Sequence, residues 1–318
     1  MKTKKNKILA LDEYIHEALY NKKYGYYMKN NPFGVGGDYI TSPNISVIFS
    51  EMIAIWIISF WEKLKYPKEF NLIELGSGNG EMMIQIIKSL KKFPKCKKSC
   101  KINILEKSNY LKKIQVKKFN YKNIRWLKNL DEISNAPSIF IANEFFDALP
   151  IKQFVKKKNE WFERKVKFSK KNGLSFLDTL TNINIIEKKI GFKISYKQKF
   201  IEYSPLSFDY LKIIAHKITK NTGGILIIDY GYWDNQMKDT ITSLYKHKFN
   251  HVLNNFRKAD ITHNINFNFI IKLLKKFGLK INGKITQGDF LQNLGILKRA
   301  EIISKNLPFS KKSDIYFR

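Results

Sequence analysis

Residues 71–80 read NLIELGSGNG, an apolar run that ends in Glu74 and Leu75 and passes into Gly76, Gly78 and Gly80, one residue apart. A strand that feeds a tight glycine turn and then a helix restricts the chain to a few α/β architectures. Such a turn sits where a ligand comes against bare backbone and a Cβ would be in the way. The stretch that follows, 81–90, carries helical apolar spacing. The same rhythm repeats, with expected strands at Leu72–Leu75, Ile102–Leu105, Ile124–Leu127 and Ile139–Ala142 and a further expected helix over Tyr110–Val116. This alternation predicts parallel strands with right-handed crossovers, hence a doubly wound, Rossmann-like α/β sheet whose ligand lies beyond the carboxyl ends of the strands.

The dinucleotide pattern G-x-G-x-x-G requires a third glycine where this chain has Glu81. Carboxylates at Glu74 and Glu81, on either side of the turn, also serve a pyrophosphate poorly. The spacing G-x-G-x-G with an acid two residues before the first glycine resembles motif I of class I S-adenosylmethionine-dependent methyltransferases. The donor implied by that resemblance carries a sulfonium and an ammonium, and a carboxylate at the cradle favours both.

The chain carries 58 Lys and Arg against 27 Asp and Glu, a formal net charge of +31, so the position of each acid is informative. Glu74, Glu106, Glu144 and Asp229 each stand at the carboxyl end of an expected strand, the last after the apolar run Ile225–Ile228. Capping of helix N-termini explains one or two such acids better than four. Glu106 follows the second strand, where Rossmann-like folds hydrogen-bond ribose hydroxyls. Asn143, Glu144 and Asp147 fall in NEFFDALP, residues 143–150, where two acids three apart can flank a cationic acceptor. The alternative for the same octapeptide is a Pro-terminated turn that buries Phe145 and Phe146. A guanidinium keeps its charge at neutral pH, so a carboxylate that orients it suits methyl transfer to arginine. The Asn/Asp-Pro-Pro-Tyr/Phe tetrapeptide of amide- and amino-specific methylases is absent there, and neither cysteine lies where a pyrimidine methylase places its nucleophile.

The organisation expected around this core is an N-terminal helical cap over 1–65 and a class I methyltransferase domain over 66–318. The cap joins helical spacing from Leu9 to Tyr20, a glycine-rich loop Phe33–Asp38 and an apolar helix Ile45–Trp61, too short and too polar for a comfortable membrane span. Alternation in Trp161–Phe168 and the run Leu174–Leu177 predict an antiparallel β insertion over about 151–205. Residues 231–264 lack periodicity and are expected as a long functional loop. Beyond them come a helix Ile265–Phe277, a strand over Leu279–Ile285 and a final helical region. Cys96 and Cys100 cannot close a zinc site and are expected to be reduced surface thiols, so no metal is expected. The basic N-terminus lacks an apolar signal core, and the expected location is the cytoplasm, or the mitochondrial matrix if the source is eukaryotic. The charge admits two explanations, a polyanionic partner such as nucleic acid or a global bias towards Lys, Asn, Ile and Phe; no RNP-type aromatic signature is present.

Read in order, the segments Tyr24–Tyr27, Gly37–Pro43, Glu74–Gly80, Asn143–Pro150, Ile228–Gly231, Asp260–Thr262 and Thr286–Leu291 resemble the MidA-type methyltransferases across nearly the whole chain. Mitochondrial members of that family are complex I assembly factors that act as protein-arginine methyltransferases. The resemblance implies S-adenosyl-L-methionine as donor, held by Glu74, Gly76, Gly78, Gly80 and Glu106. It implies Asn143, Glu144 and Asp147 as the catalytic acceptor motif, with Gly37, Asp38, Thr41, Asp229 and Asp260 on the substrate side, and a protein substrate, a complex I subunit among the candidates. The family pattern continues past Asp260-Ile261-Thr262 with a histidine and an aspartate, where this chain has Asn264 and Asn266. Neither can act as a general base at neutral pH, and His263, one position early, is expected at the surface. Methylation of RNA and a non-catalytic assembly role remain the alternatives.

Overall fold

The structure is a computed structural model that describes residues 7–29, 32, 46–119, 123–169, 171–308, 312 and 315. In chain order its strands are β1 (Lys7–Ala10), β2 (Phe70–Leu75), β3 (Cys100–Leu105), β4 (Ile124–Leu127), β5 (Ser138–Asn143), β6 (Lys152–Lys157), β7 (Glu160–Ser169) and β8 (Gly173–Thr181). They continue with β9 (Phe200–Tyr203), β10 (Gly223–Ile228), β11 (Gly231–Tyr232), β12 (Thr242–Tyr245), β13 (Lys248–Phe249), β14 (Asp260–Thr262) and β15 (Ile265–Asn266). The chain divides into two compact units, one of Met1–Asn30, Glu144–His216 and Asp229–Lys280, the other of Asn31–Asn143, Lys217–Ile228 and Ile281–Arg318.

The second of these units is built on a parallel sheet in the order β10-β5-β2-β3-β4. All six residues of β2 are buried, as expected of a continuous apolar run covered on both faces. The Val47–Lys63 helix lies in its core, with Ile53, Ala54 and Ile57 fully buried beside Leu72, Ile86 and Ile139. A buried helix, and not a membrane span, was the expectation for that apolar stretch, although it falls in this unit and not with the residues before 30. The chain runs from β2 outward to β3 and β4 and then returns to the other side of β2 as β5. That reversal is a topological switch point, and at its carboxyl end open α/β sheets hold their ligands.

The other unit contains an antiparallel sheet in which β7 pairs with β8 on one edge and with β6 and β1 on the other, and β6 pairs in turn with β9. The expected helical spacing starts at Leu9, but Leu9 and Ala10 close the strand β1 and the helix runs over Leu11–Leu19. The ten-residue β7 is longer than β6 can cover, and β1 completes the ladder opposite Lys165–Phe168. Lys152 on β6 joins Asp12 at 3.1 Å and Glu163 on β7 at 2.7 Å, which ties that first helix to the sheet.

Three further expectations are corrected. Residues 231–264 are not an open loop: β12 pairs antiparallel with β13 and β14, and β11 pairs with β15. Leu279–Ile285 forms no strand, since its alternation finds no partner edge and most of the segment is exposed. Cys96 and Cys100 are buried, and burial raises both thiols, Cys96 to about 12. No helix among the described residues is long and apolar enough to cross a membrane.

Candidate functional site

The glycine turn follows β2 directly, and Gly76, Gly78 and Gly80 all adopt positive φ. At Gly80, with φ of 82°, an added Cβ would meet Phe119 Cζ at 2.9 Å, so both conformation and space require glycine. Asn79 Oδ1 accepts from Glu81 N at 3.2 Å and starts the Glu81–Leu90 helix.

Glu74, the fifth residue of β2, is 2% exposed, and its Oε2 accepts from Ser77 Oγ at 2.6 Å. Glu106, just past the end of β3, is also buried; its Oε1 accepts from Ser108 N at 2.8 Å and its Oε2 from Gln115 Nε2 at 3.3 Å. Burial pushes both carboxyls up to about 7, and the Glu106 charge adds to the effect on Glu74. Two buried acids that ionise reluctantly form a natural seat for a cation, whose charge would favour their carboxylate forms. Glu81 plays a different part from the one its place beside the turn suggested. Its carboxylate accepts from Gln85 at 3.0 Å and pairs with Lys118 at 3.4 Å on the helix surface.

Sequence reasoning missed Gln115, which is fully buried and ties the site together. Its Nε2 donates to Gly78 O at 2.8 Å as well as to Glu106, and its Oε1 accepts from Trp126 Nε1 at 2.8 Å. The only signal available was a polar residue at a buried position of the helix Asn109–Phe119.

Glu144, Asp147, Asp229 and Asp260 belong to the unit with the antiparallel sheet, whereas Asn143 ends a strand of the other unit. Asp229 Oδ2 accepts from Phe146 N at 3.0 Å and Asp147 N at 3.3 Å, and its Oδ1 from Tyr230 N at 2.9 Å. Burial and the neighbouring charges of Asp229, Glu144 and Asp260 push the Asp147 carboxyl well above the ordinary range. Of the Asp147 and Asp229 pair, Asp229 has three N–H donors and ionises first, whereas Asp147 Oδ1 is buried without a partner. Asp260 is 1% exposed, with Oδ2 accepting from Tyr27 OH at 2.8 Å and Oδ1 from Ile261 N at 2.8 Å. Glu144 adopts a φ of 47°, a left-handed conformation uncommon outside glycine and met where structure holds a residue for function. Phe146 is buried and Phe145 only half-buried, whereas the turn alternative for this octapeptide required both to be buried.

His263 departs from its expected surface position. Its N donates to Asp147 O at 3.0 Å, its Nε2 is sealed from solvent without a partner, and burial lowers its pKa to about 4. Neutral imidazole is therefore its form at physiological pH. Asn266 Oδ1 caps the Phe267–Lys276 helix by accepting from Phe269 N at 3.0 Å, a structural task that an aspartate at the same place would also perform. Asn143, the last residue of β5, has an Oδ1 that is buried and unpartnered. Gly37, Asp38 and Thr41 lie outside the described residues. Among the described residues no group of three or more His, Cys, Asp or Glu is arranged to hold a metal ion.

Residues 52–285 match a family model described as "Putative S-adenosyl-L-methionine-dependent methyltransferase". The protein arginine methyltransferase NDUFAF7, mitochondrial, of Xenopus laevis is 30% identical over 93% of this chain and 72% of its own length. The Danio rerio protein of the same name is 30% identical over 94% and 76%, and the Homo sapiens protein 27% over 93% and 72%. A solved structure of a COG1565 superfamily member from Burkholderia thailandensis, bound to S-adenosyl-homocysteine, superposes with a TM-score of 0.81 at 19% identity, covering 97% of this chain and 82% of that one. That likeness shows a shared α/β methyltransferase fold.

Proposed function

The chain belongs to the S-adenosyl-L-methionine-dependent methyltransferases whose family model spans residues 52–285, and on that premise we propose that it methylates a protein arginine. The donor suits the residues present. Glu74 and Glu106 are buried acids with raised pKa on either side of the glycine turn, and a sulfonium and ammonium supply the cationic charge that the two carboxyls lack. When bound, S-adenosyl-L-methionine supplies an electrophilic methyl group. In this reading Gly76, Gly78 and Gly80 receive the donor against bare backbone, Glu106 takes the ribose hydroxyls and Glu74 faces the charged end.

The observation that carries the acceptor is Asp147, buried beside Asp229 with an Oδ1 that nothing fills. A guanidinium brings five N–H donors and no acceptor, which answers an unpartnered carboxylate oxygen, and its positive charge lowers the cost of ionising Asp147. Glu144 and Asp147 orient the guanidinium by charge-assisted hydrogen bonds and receive the proton released as nitrogen attacks in line. The MidA-type resemblance also assigns Asn143, Gly37, Asp38 and Thr41 to the acceptor side. Relatives named protein arginine methyltransferase, and mitochondrial, support this choice over amide or base methylation. The acceptor proteins to try first are complex I subunits, which the MidA-type resemblance implies.

The test is incubation of the purified protein with methyl-labelled donor and arginine-bearing subunits or peptides, followed by mass spectrometry. Label on arginine, lost in Asp147→Asn with donor binding retained, supports the reading. Label on any other residue, or on RNA alone, removes the acceptor.

A further inference from the structure

The first residues of β2, β3 and β4 and the turn before β5 frame an open cavity of about 940 Å³. Because these strands are parallel, the cavity lies at the edge of the sheet opposite the glycine turn. Its rim carries Lys91, Lys97, Lys98, Lys101 and Arg125, with Glu69 as its one acid. Five basic groups among fourteen lining residues is about twice the share of 58 in 318 for the whole chain, so the compositional bias does not account for the cluster.

Beside the apolar Cys100, Ile102 and Ile124, the floor carries polar side chains that are held in place. Asn71 and Asn103 are 2% and 5% exposed; Asn71 Nδ2 donates to Ser134 O at 3.1 Å and Ser134 Oγ returns a bond to Asn71 Oδ1 at 3.1 Å. Two of the cations have acidic neighbours, Lys101 with Glu69 at 3.6 Å and Arg125 with Glu132 at 3.4 Å. An ammonium has three N–H groups and a guanidinium five, so one carboxylate each does not exhaust them. Among the described residues no aromatic side chain lines the cavity, so none of them offers a platform for stacking a base.

We propose that this cavity binds a ligand with adjacent phosphate groups, of the diphosphate or triphosphate class, at a site separate from the donor cradle. Five basic groups less Glu69 and the Glu132 that pairs with Arg125 leave a net of three positive charges, of the same order as the roughly three to four negative charges of a diphosphate or triphosphate near neutral pH. The phosphates meet the rim cations, and whatever they are attached to is left in the open mouth.

Titration calorimetry of the full chain with inorganic triphosphate, with ATP and with a short RNA tests the assignment. The expected result is one triphosphate site that weakens with salt, binds ATP within about tenfold as tightly, and is unaffected by saturating S-adenosyl-homocysteine. The double variant Lys98→Glu with Lys101→Glu, both at exposed positions, should lose at least tenfold in triphosphate affinity while binding of the adenosyl ligand is unchanged. Lys246→Glu with Lys248→Glu, exposed in the other unit, is the matched charge control and should leave triphosphate binding within about twofold. Equal loss in both variants, competition by S-adenosyl-homocysteine, ATP bound far more tightly than triphosphate, or binding of RNA alone would each overturn the proposal.

Discussion

Replacing Glu74 by Gln removes one negative charge from the buried end of β2, and the structure gives both the sign and the size of the effect. The carboxyl is 2% exposed and its pKa rises from 4.5 to about 7. Between those values the folded protein holds a proton that the unfolded chain has released. Stability from this group is therefore fully present below about 4.5, falls as pH rises, and is wholly lost above about 7. At about 1.4 kcal/mol per tenfold change in proton affinity, the loss is on the order of 3 kcal/mol. Gln cannot ionise, and its amide oxygen can still accept from Ser77, so the variant should lack this pH-dependent part of the loss. Hydrogen bonds changed by the substitution act equally at all pH values, which makes the pH difference the cleaner quantity. Urea unfolding of the cofactor-free protein at pH 5, 6.5 and 8 should show Glu74→Gln gaining on wild type by roughly 2–3 kcal/mol across that range. The same protein should bind S-adenosyl-L-methionine far more weakly, whereas wild type should bind it more tightly at pH 8 than at pH 6, as the cradle acids ionise. Parallel pH profiles for the two proteins would refute the argument that Glu74 is a strained buried acid.

Gly80→Ala should destabilise the protein by about 2–5 kcal/mol, from the left-handed backbone and from displacement of Phe119, and should abolish donor binding; calorimetry and chemical unfolding read the two effects. Asp229→Asn keeps one acceptor oxygen for three N–H groups, so the amides of Phe146, Asp147 or Tyr230 should lose about 1–3 kcal/mol of hydrogen-exchange protection, with methyl transfer falling at least tenfold. Cys96 and Cys100 should resist a thiol reagent at pH 8 in the native protein and both react after denaturation.

The parallel sheet was legible because β2, β3 and β5 are apolar runs whose burial follows from their own composition, each closed by an acid or amide that marks the ligand edge; the equally apolar β10 is only half-buried, because it is an edge strand. Elements whose existence depends on distant partners were not legible. The strand β1 has four residues and forms only because β7 outruns β6, while β12, β13 and β14 are too short to show a period. The reverse error, a strand over Leu279–Ile285, came from alternation that no neighbouring edge receives. At the site, glycines and acids could be read from spacing, but their partners could not. Ser77, Gln115 and His263 are ordinary polar residues in sequence, and only the fold closes water away from Ser77, Gln115 and the His263 Nε2.

Trp126 sits on β4, two strands from the glycine turn, and its indole can only donate a hydrogen bond. Its N–H goes to Gln115 Oε1, while Gly78 O and Glu106, both acceptors, take the amide nitrogen, so three partners fix one and the same orientation of the amide. Trp126→Phe would leave that orientation to the two acceptors and strand the Gln115 oxygen without a donor in a fully buried place. The strand β4 thus bears on the cradle through the satisfaction of one buried oxygen.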